Sequence, residues 1–261
     1  MQSRHSNHRQ YFDELVITSK NYFLPYVERF FKIDQGLNVL EIGCGEGGNL
    51  LPFAQRGCNV FGVDMAKHKI DDAIEYFAQE NTPATFIASD VFKLKELEQQ
   101  FDLIICHDVI EHITDKDGFI TKCRIMLKPH GMMFMSFPAW QMPFGGHQQI
   151  CKSKFLSHLP WFHLLPAFLY KWNLKLFGER ESCINELLDI KRCKCPIERF
   201  ERTIKNTPFT ILERRFWFIN PHYEIKFHLK PRKLWRWVGA IPYLRNFFTT
   251  SAFYMLKLEE Q

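Results

Sequence analysis

No stretch of this 261-residue chain is apolar for long enough to cross a bilayer. The most apolar run outside the apparent strands, Trp161–Tyr170, is interrupted by His163 and Pro166, and roughly 20 apolar residues are needed to span. An apolar leader is also missing: residues 1–10 are polar, so no secretory signal is expected. No internal repeat is visible. The eight cysteines, at 44, 58, 106, 123, 151, 183, 193 and 195, lack the pattern of a disulfide framework. Several fall inside apparent core strands, as reduced thiols of a cytoplasmic protein do. Cys193-x-Cys195 with Cys183 lacks a second well-spaced ligand pair, so no metal site is expected. Acid is scarce in one half only. Residues 1–140 hold 14 Lys/Arg against 19 Asp/Glu, a balance of −5, whereas residues 141–261 hold 20 against 10, a balance of +10. The second half therefore suits an anionic partner or an anionic membrane face.

A hydrophobic content of 46% is enough to bury a proper core. Residues 11–33 carry apolar side chains at helical spacing, so one or two leading helices are expected. Short apolar strands are expected at Leu37–Ile42, Asn59–Val63, Thr85–Ala88, Asp102–Cys106 and Met132–Phe137. Helices are expected at Asn49–Gln55, Lys67–Gln79 and Gly118–Leu127, and a turn at Lys128–Gly131. That alternation argues for a parallel sheet covered on both faces. In such sheets a ligand lies beyond the carboxyl ends of the strands, where the strand order reverses. After Pro138 the alternation lapses into an aromatic, basic and irregular stretch. It resumes with a helix over Pro196–Lys205 and strands over Thr210–Ile219 and Ser251–Leu258. The chain thus divides into a helical cap (1–35), a ligand-binding core (36–138), an aromatic and basic insertion (139–195), and the end of the core (196–261). That last part carries a second basic insertion at about 225–248.

The most informative segment is Val39–Asn49, a strand that runs into a glycine cluster and a helix. Glycines there let the backbone press against a small molecule, with helix N–H groups aimed at it. Glu41, two positions before the first glycine, suits a ligand with an ammonium group better than a phosphate. Gly43-x-Gly45-x-x-Gly48 also fits the dinucleotide fingerprint, with an acid, Asp64, 21 residues on, so an NAD-linked oxidoreductase is an alternative on spacing alone.

Four motifs in order decide between these readings: Glu41–Gly47, Val63-Asp64-Met65, Ala88-Ser-Asp90-Val91, and Phe101–His112. Together with Leu127-Lys-Pro-His-Gly131, they make the chain resemble the class I S-adenosylmethionine-dependent methyltransferases, in their small-molecule, type 11/12-like branch. The resemblance covers residues 36–138 in detail, and the dinucleotide reading explains only the first two motifs. It implies a Rossmann-like, seven-stranded, mostly parallel sheet with helices on both faces and an antiparallel last strand. It also implies S-adenosylmethionine as cofactor. Glu41 would meet its amino group, and Gly43, Cys44 and Gly45 its methionine part. Asp64 would accept from both ribose hydroxyls, and Met65 would face adenine. Asp90, beside Val91, would accept from the exocyclic amine, and Cys106 and His107 would lie beside the sulfonium.

Two bland roles compete, Asp64 as a helix N-cap and Asp90 as a cap of the next turn. Glu111 and His112 match the family but lie past the site and read as structural. For a hydroxyl acceptor a histidine base is the usual choice, with His107, Asp108 and His147 as candidates. His147 follows two glycines on a close-approach loop; the competing reading is a surface histidine. The acceptor is expected to be a small molecule such as a saccharide or a lipid-linked precursor. The leading helix would close the pocket, with Lys20 or Tyr22 near the cofactor. The basic, aromatic insertions fit a lid over the acceptor or peripheral contact with an anionic membrane; RNA is the least favoured partner, and an aromatic mini-core with a basic exterior is the plain alternative. A protein that keeps the cofactor pocket without catalysis is the remaining functional alternative.

Overall fold

The computed structural model describes residues 7–259. Residues 1–6, part of the polar leading stretch and of the expected cap, lie outside the described residues, as do 260 and 261. Eight strands form one sheet: β1 (Asn38–Ile42), β2 (Asn59–Asp64), β3 (Thr85–Ala88), β4 (Phe101–His107), β5 (Leu127–Phe137), β6 (Phe209–Ile219), β7 (Arg232–Lys233) and β8 (Ser251–Leu258). Their order is β3-β2-β1-β4-β5-β8-β6-β7. The first five pair in parallel, β8 runs antiparallel to β5 and β6, and β6 is antiparallel to β7. The expected count of seven is one short. The extra strand is β7, whose two residues are too few to leave an alternating pattern in sequence.

Successive strand residues point to opposite faces, and both faces of this sheet are covered. Leu40, Ile104, Cys106, Met133 and Met135 join one core cluster, while Val39, Leu103, Ile105 and Phe134 join the other. This double burial is why the strands read as unbroken apolar runs. On the first face lie α5 (Lys116–Met126) and, later in the chain, the helix Ile197–Lys205. The second face carries α1 (His8–Thr18), α2 (Leu24–Val27), α3 (Leu51–Ala54) and α4 (Lys67–Gln79). In α4 the buried positions Ile70, Ala73 and Phe77 recur at helical spacing. Asn7 caps α1 by accepting from the Gln10 N–H, and a π-helical stretch, Ser19–Phe23, joins α1 to α2. The expected turn at 128–131 lies inside β5, as an irregularity between the Phe101–Leu127 and Leu103–Met132 pairs.

Residues 139–195 are not irregular as expected. They contain α6 (Lys154–His158), α7 (Ala167–Leu176) and α8 (Glu181–Cys193), packed around Leu156, Phe162, Tyr170, Leu174, Ile184 and Leu187. Helix α9 (Ile197–Lys205) then returns the chain to the sheet. Around the second insertion are α10 (His222–Phe227), which packs on α1, and α11 (Arg236–Gly239).

A lysine pins the first insertion to the core. Lys116 is 2% exposed, and its Nζ donates to three carbonyls: Ile110 (2.9 Å), Ile113 (2.7 Å) and Cys193 (2.7 Å). Two flank the turn after β4, and the third ends α8. Burial lowers the pKa of this ammonium. Replacing Lys116 with Met would strand three carbonyls, each costing about 1–3 kcal/mol when buried without a donor. Lys116→Met is therefore expected to lose about 3 kcal/mol and to lower the thermal midpoint by about 6–12 °C. An unchanged midpoint would show that the clamp contributes nothing.

Candidate functional site

The carboxyl ends of β1, β2 and β4, and the segment after β3, meet around a cavity of about 480 Å³. Its floor is the glycine segment. Gly43 has φ +73°, and a Cβ on it would stand 2.2 Å from Val109 Cγ2, so only glycine fits. The N–H groups of Gly43 and Cys44 both donate to the Val63 carbonyl, at 2.7 and 3.1 Å. This ties the end of β1 to the end of β2. The expected helix at 49–55 shrinks to the four residues of α3, because the chain first makes successive turns from Cys44 to Leu50. Backbone turns, rather than a helix terminus, shape this wall. Gly48 is also obligatory, since a Cβ there would meet the Phe12 carbonyl oxygen of α1 at 2.5 Å.

Asp64 stands at the end of β2. Its Oδ2 accepts from the Gly45 N–H (3.0 Å) and its Oδ1 from the Ala66 N–H (2.8 Å). The residue at the start of α4 is Ala66, without a side-chain cap, so the competing role of Asp64 as N-cap is not what the structure shows. Each carboxylate oxygen keeps further acceptor capacity. Met65, 77% exposed, offers an apolar surface at the cavity edge. Asp90 caps the 3-10 turn Val91–Lys93 by accepting from the Phe92 N–H through Oδ1 (3.0 Å), and both Asp90 and Val91 line the cavity. So do Gly43, Cys44, Gly45 and His107.

Three residues singled out in sequence stand back from the wall. Glu41 is fully buried and its Oε1 accepts from Asn49 Nδ2 (2.7 Å), so Asn49 is the group of that pair on the cavity wall. Burial raises the Glu41 carboxyl to about 8, partly offset by the Asn49 hydrogen bond. Cys106 is fully buried behind His107. His147 is not among the wall residues either; its ring packs edge-on to His112, 5.0 Å between centroids, and His112 lines the cavity. Burial lowers His147 to about 4 and also lowers His112. His107 is fixed from both sides, its Nδ1 2.6 Å from Ser136 Oγ and its ring 4.9 Å from Phe23.

The leading segment closes one side through Tyr11 and Leu15 of α1. Lys20 and Tyr22, expected there, are elsewhere: Lys20 is exposed, and the Tyr22 hydroxyl donates to Glu224. The helix seats on Gly48 and brings its earlier turns to the cavity, a consequence of packing with no local sequence signal. Glu46, Lys69 and Phe92 are further wall residues that the motifs did not single out.

The buried Glu41 has a pH signature. Its folded pKa is about 8 against the ordinary value of 4.5, so between these values the folded state holds a proton that the unfolded state releases. Stability is expected to fall as pH rises through that window. Glu41→Gln should flatten this part of the profile when denaturation midpoints at pH 6 and 8.5 are compared. An equally steep decline in the variant would assign it elsewhere.

A family model described as a methyltransferase domain matches residues 33–200. The ubiquinone biosynthesis O-methyltransferase of Bartonella bacilliformis is 32% identical over 122 residues, which is 45% of this chain and 49% of that protein. The chain thus spans about half the length of the curated relatives it matches. Among solved structures, phosphoethanolamine N-methyltransferase 2 of Haemonchus contortus, in complex with S-adenosyl-L-methionine, aligns with a TM-score of 0.58 at 16% identity. That alignment covers 92% of this chain and 53% of that one. The magnesium protoporphyrin IX methyltransferase of Synechocystis PCC 6803, with bound S-adenosylhomocysteine, aligns at 0.53 and 18% identity, over 91% and 81% of the two chains. At such identity these structures speak to the fold alone. With the family match extending over more than half the chain, from before β1 into α9, the chain belongs to the class I S-adenosylmethionine-dependent methyltransferases.

Proposed function

We propose that this chain moves the methyl group of S-adenosylmethionine to an oxygen of a small molecule. The observation that carries the reading is the convergence of the Gly43–Gly45 backbone, Asp64, Met65, Asp90 and His107 on one cavity at the strand ends. The ribose hydroxyls would donate to Asp64, whose oxygens are already oriented by two backbone N–H groups. Adenine would lie along Met65, with its amine donating to Asp90. The methionine part would follow the glycine turn, and Glu41 would act on its amino end through Asn49.

S-adenosylmethionine, when bound, would supply the methyl group, the C–S electron pair staying on sulfur as S-adenosylhomocysteine. The acceptor oxygen would give a lone pair to the new C–O bond, and its hydroxyl proton would pass to His107 at the end of β4, whose ring is held by Ser136. The sulfonium is an excellent leaving group, so alignment and exclusion of water are the main demands on the protein. An oxygen acceptor is supported by the O-methyltransferase relatives. A saccharide or lipid-linked acceptor, with contact to an anionic membrane face, suits the exposed Trp235 and Trp237 beside Lys233 and Arg236. Among the described residues no helix is long and apolar enough to cross a membrane.

S-adenosylhomocysteine at about 100 times its Kd is expected to raise the thermal midpoint by about 5–10 °C, and NAD at the same concentration to leave it unchanged. Stabilisation by NAD alone would overturn the assignment. Asp64→Ala, checked to be folded, is expected to weaken S-adenosylhomocysteine binding by at least about 100-fold, the lower end of the worth of two hydrogen bonds to a charged acceptor. Unchanged affinity in a calorimetric titration would remove Asp64 from the site.

A further inference from the structure

We propose that Glu111, His112 and His147 bind a divalent metal ion of borderline hardness, such as Mn²⁺, Co²⁺ or Zn²⁺, at the rim of the cofactor cavity. Glu111 and His112 end the 3-10 turn Ile110–His112 after β4. His147 arrives from the loop after β5, in the left-handed region at φ 57°. One ligand atom from each lies within 4.8 Å of the others. Ligand atoms arranged tetrahedrally around an ion at ordinary Zn–N distances are about 3.4 Å apart, so small side-chain rotations close the site.

Glu111 is the second, independent sign of a ligand. It is 4% exposed, and neither carboxylate oxygen has a hydrogen-bond partner from another residue. Burying a carboxylate without a partner costs several kcal/mol, and a cation is the partner that offsets it. The nearby Lys116 does not serve, because its ammonium is committed to three carbonyls. Those bonds instead hold the backbone on both sides of Glu111 and His112.

The third ligand is held as firmly. A Cβ on Gly145 would lie 2.3 Å from the Trp140 carbonyl oxygen, and one on Gly146 would lie 2.1 Å from His163 Cβ. The two glycines let the loop press in, and His147 follows directly. Two imidazoles and one carboxylate suit borderline metals and leave coordination positions open. His112 lines both the 480 Å³ cofactor cavity and a neighbouring 410 Å³ cavity with Ser182, Asn185 and Asp189 of α8. An ion held by His112 would therefore border the space where an acceptor would lie, whose hydroxyl oxygen could complete the coordination. That role rests on the methyl-transfer reading above; the binding of the ion does not.

The test is calorimetric titration of the chelator-stripped full chain with Mn²⁺ or Zn²⁺ alone, with electron paramagnetic resonance of Mn²⁺ as a second readout. One equivalent is expected to bind. His147→Ala and Glu111→Gln are each expected to weaken it at least tenfold while S-adenosylhomocysteine affinity stays within twofold. If Glu111→Gln does not fold, His147→Ala, at a partly exposed position, decides alone. Absence of stoichiometric binding, or unchanged affinity in His147→Ala, would overturn the proposal. Metal binding that depends on His147 supports the site even if S-adenosylhomocysteine fails to bind, in which case the methyl-transfer reading is what fails.

Discussion

The Val63 carbonyl holds the site together. By accepting from both the Gly43 and Cys44 N–H groups it clasps the ends of β1 and β2, and Asp64 extends the clasp through the Gly45 N–H. The same carboxylate is thereby fixed as a cavity wall, with lone pairs left for a ligand. Sheet pairing positions the clasp, and the clasp in turn shapes the cavity floor. The close approach of Val109 to Gly43 shows how little slack remains: a single methyl group would collide with the chain leaving β4.

A second set of cross-links joins the first insertion to this core. Lys116 bridges the turn after β4 to the last carbonyl of α8, and His163 donates from Nε2–H to the Trp140 carbonyl, 2.7 Å away. Lys191 of α8 donates to the His163 and Leu165 carbonyls. The helices α6–α8 therefore form an anchored wall with its own small core.

Much of the core was legible in sequence because both faces of the sheet are buried, which leaves runs such as Asp102–Cys106 almost wholly apolar. The ends of those runs mark Asp64 and Asp90, which both lie on the cavity wall. Other features leave no local trace. Tyr11 and Leu15 reach the cavity only because α1 seats on Gly48, a contact between distant segments. Glu41 looks like a ligand group from its spacing, yet its side chain turns inward to Asn49. Across residues 139–195, prolines 143, 160 and 166 and scattered aromatics mask the helical period, although Ile184, Leu187 and Ile190 carry it. His147 was singled out for its glycines, but only the fold shows that its neighbour is His112 rather than the cavity itself.

The claim on which the rest depends is that S-adenosylmethionine occupies the clasped strand ends. A crystal structure with S-adenosylhomocysteine tests it most directly. The account requires the ribose hydroxyls within hydrogen-bonding distance of Asp64, with the sulfur on the His107 side of the cavity. Density for that ligand anywhere else, or an empty cleft at saturating concentration, would contradict it.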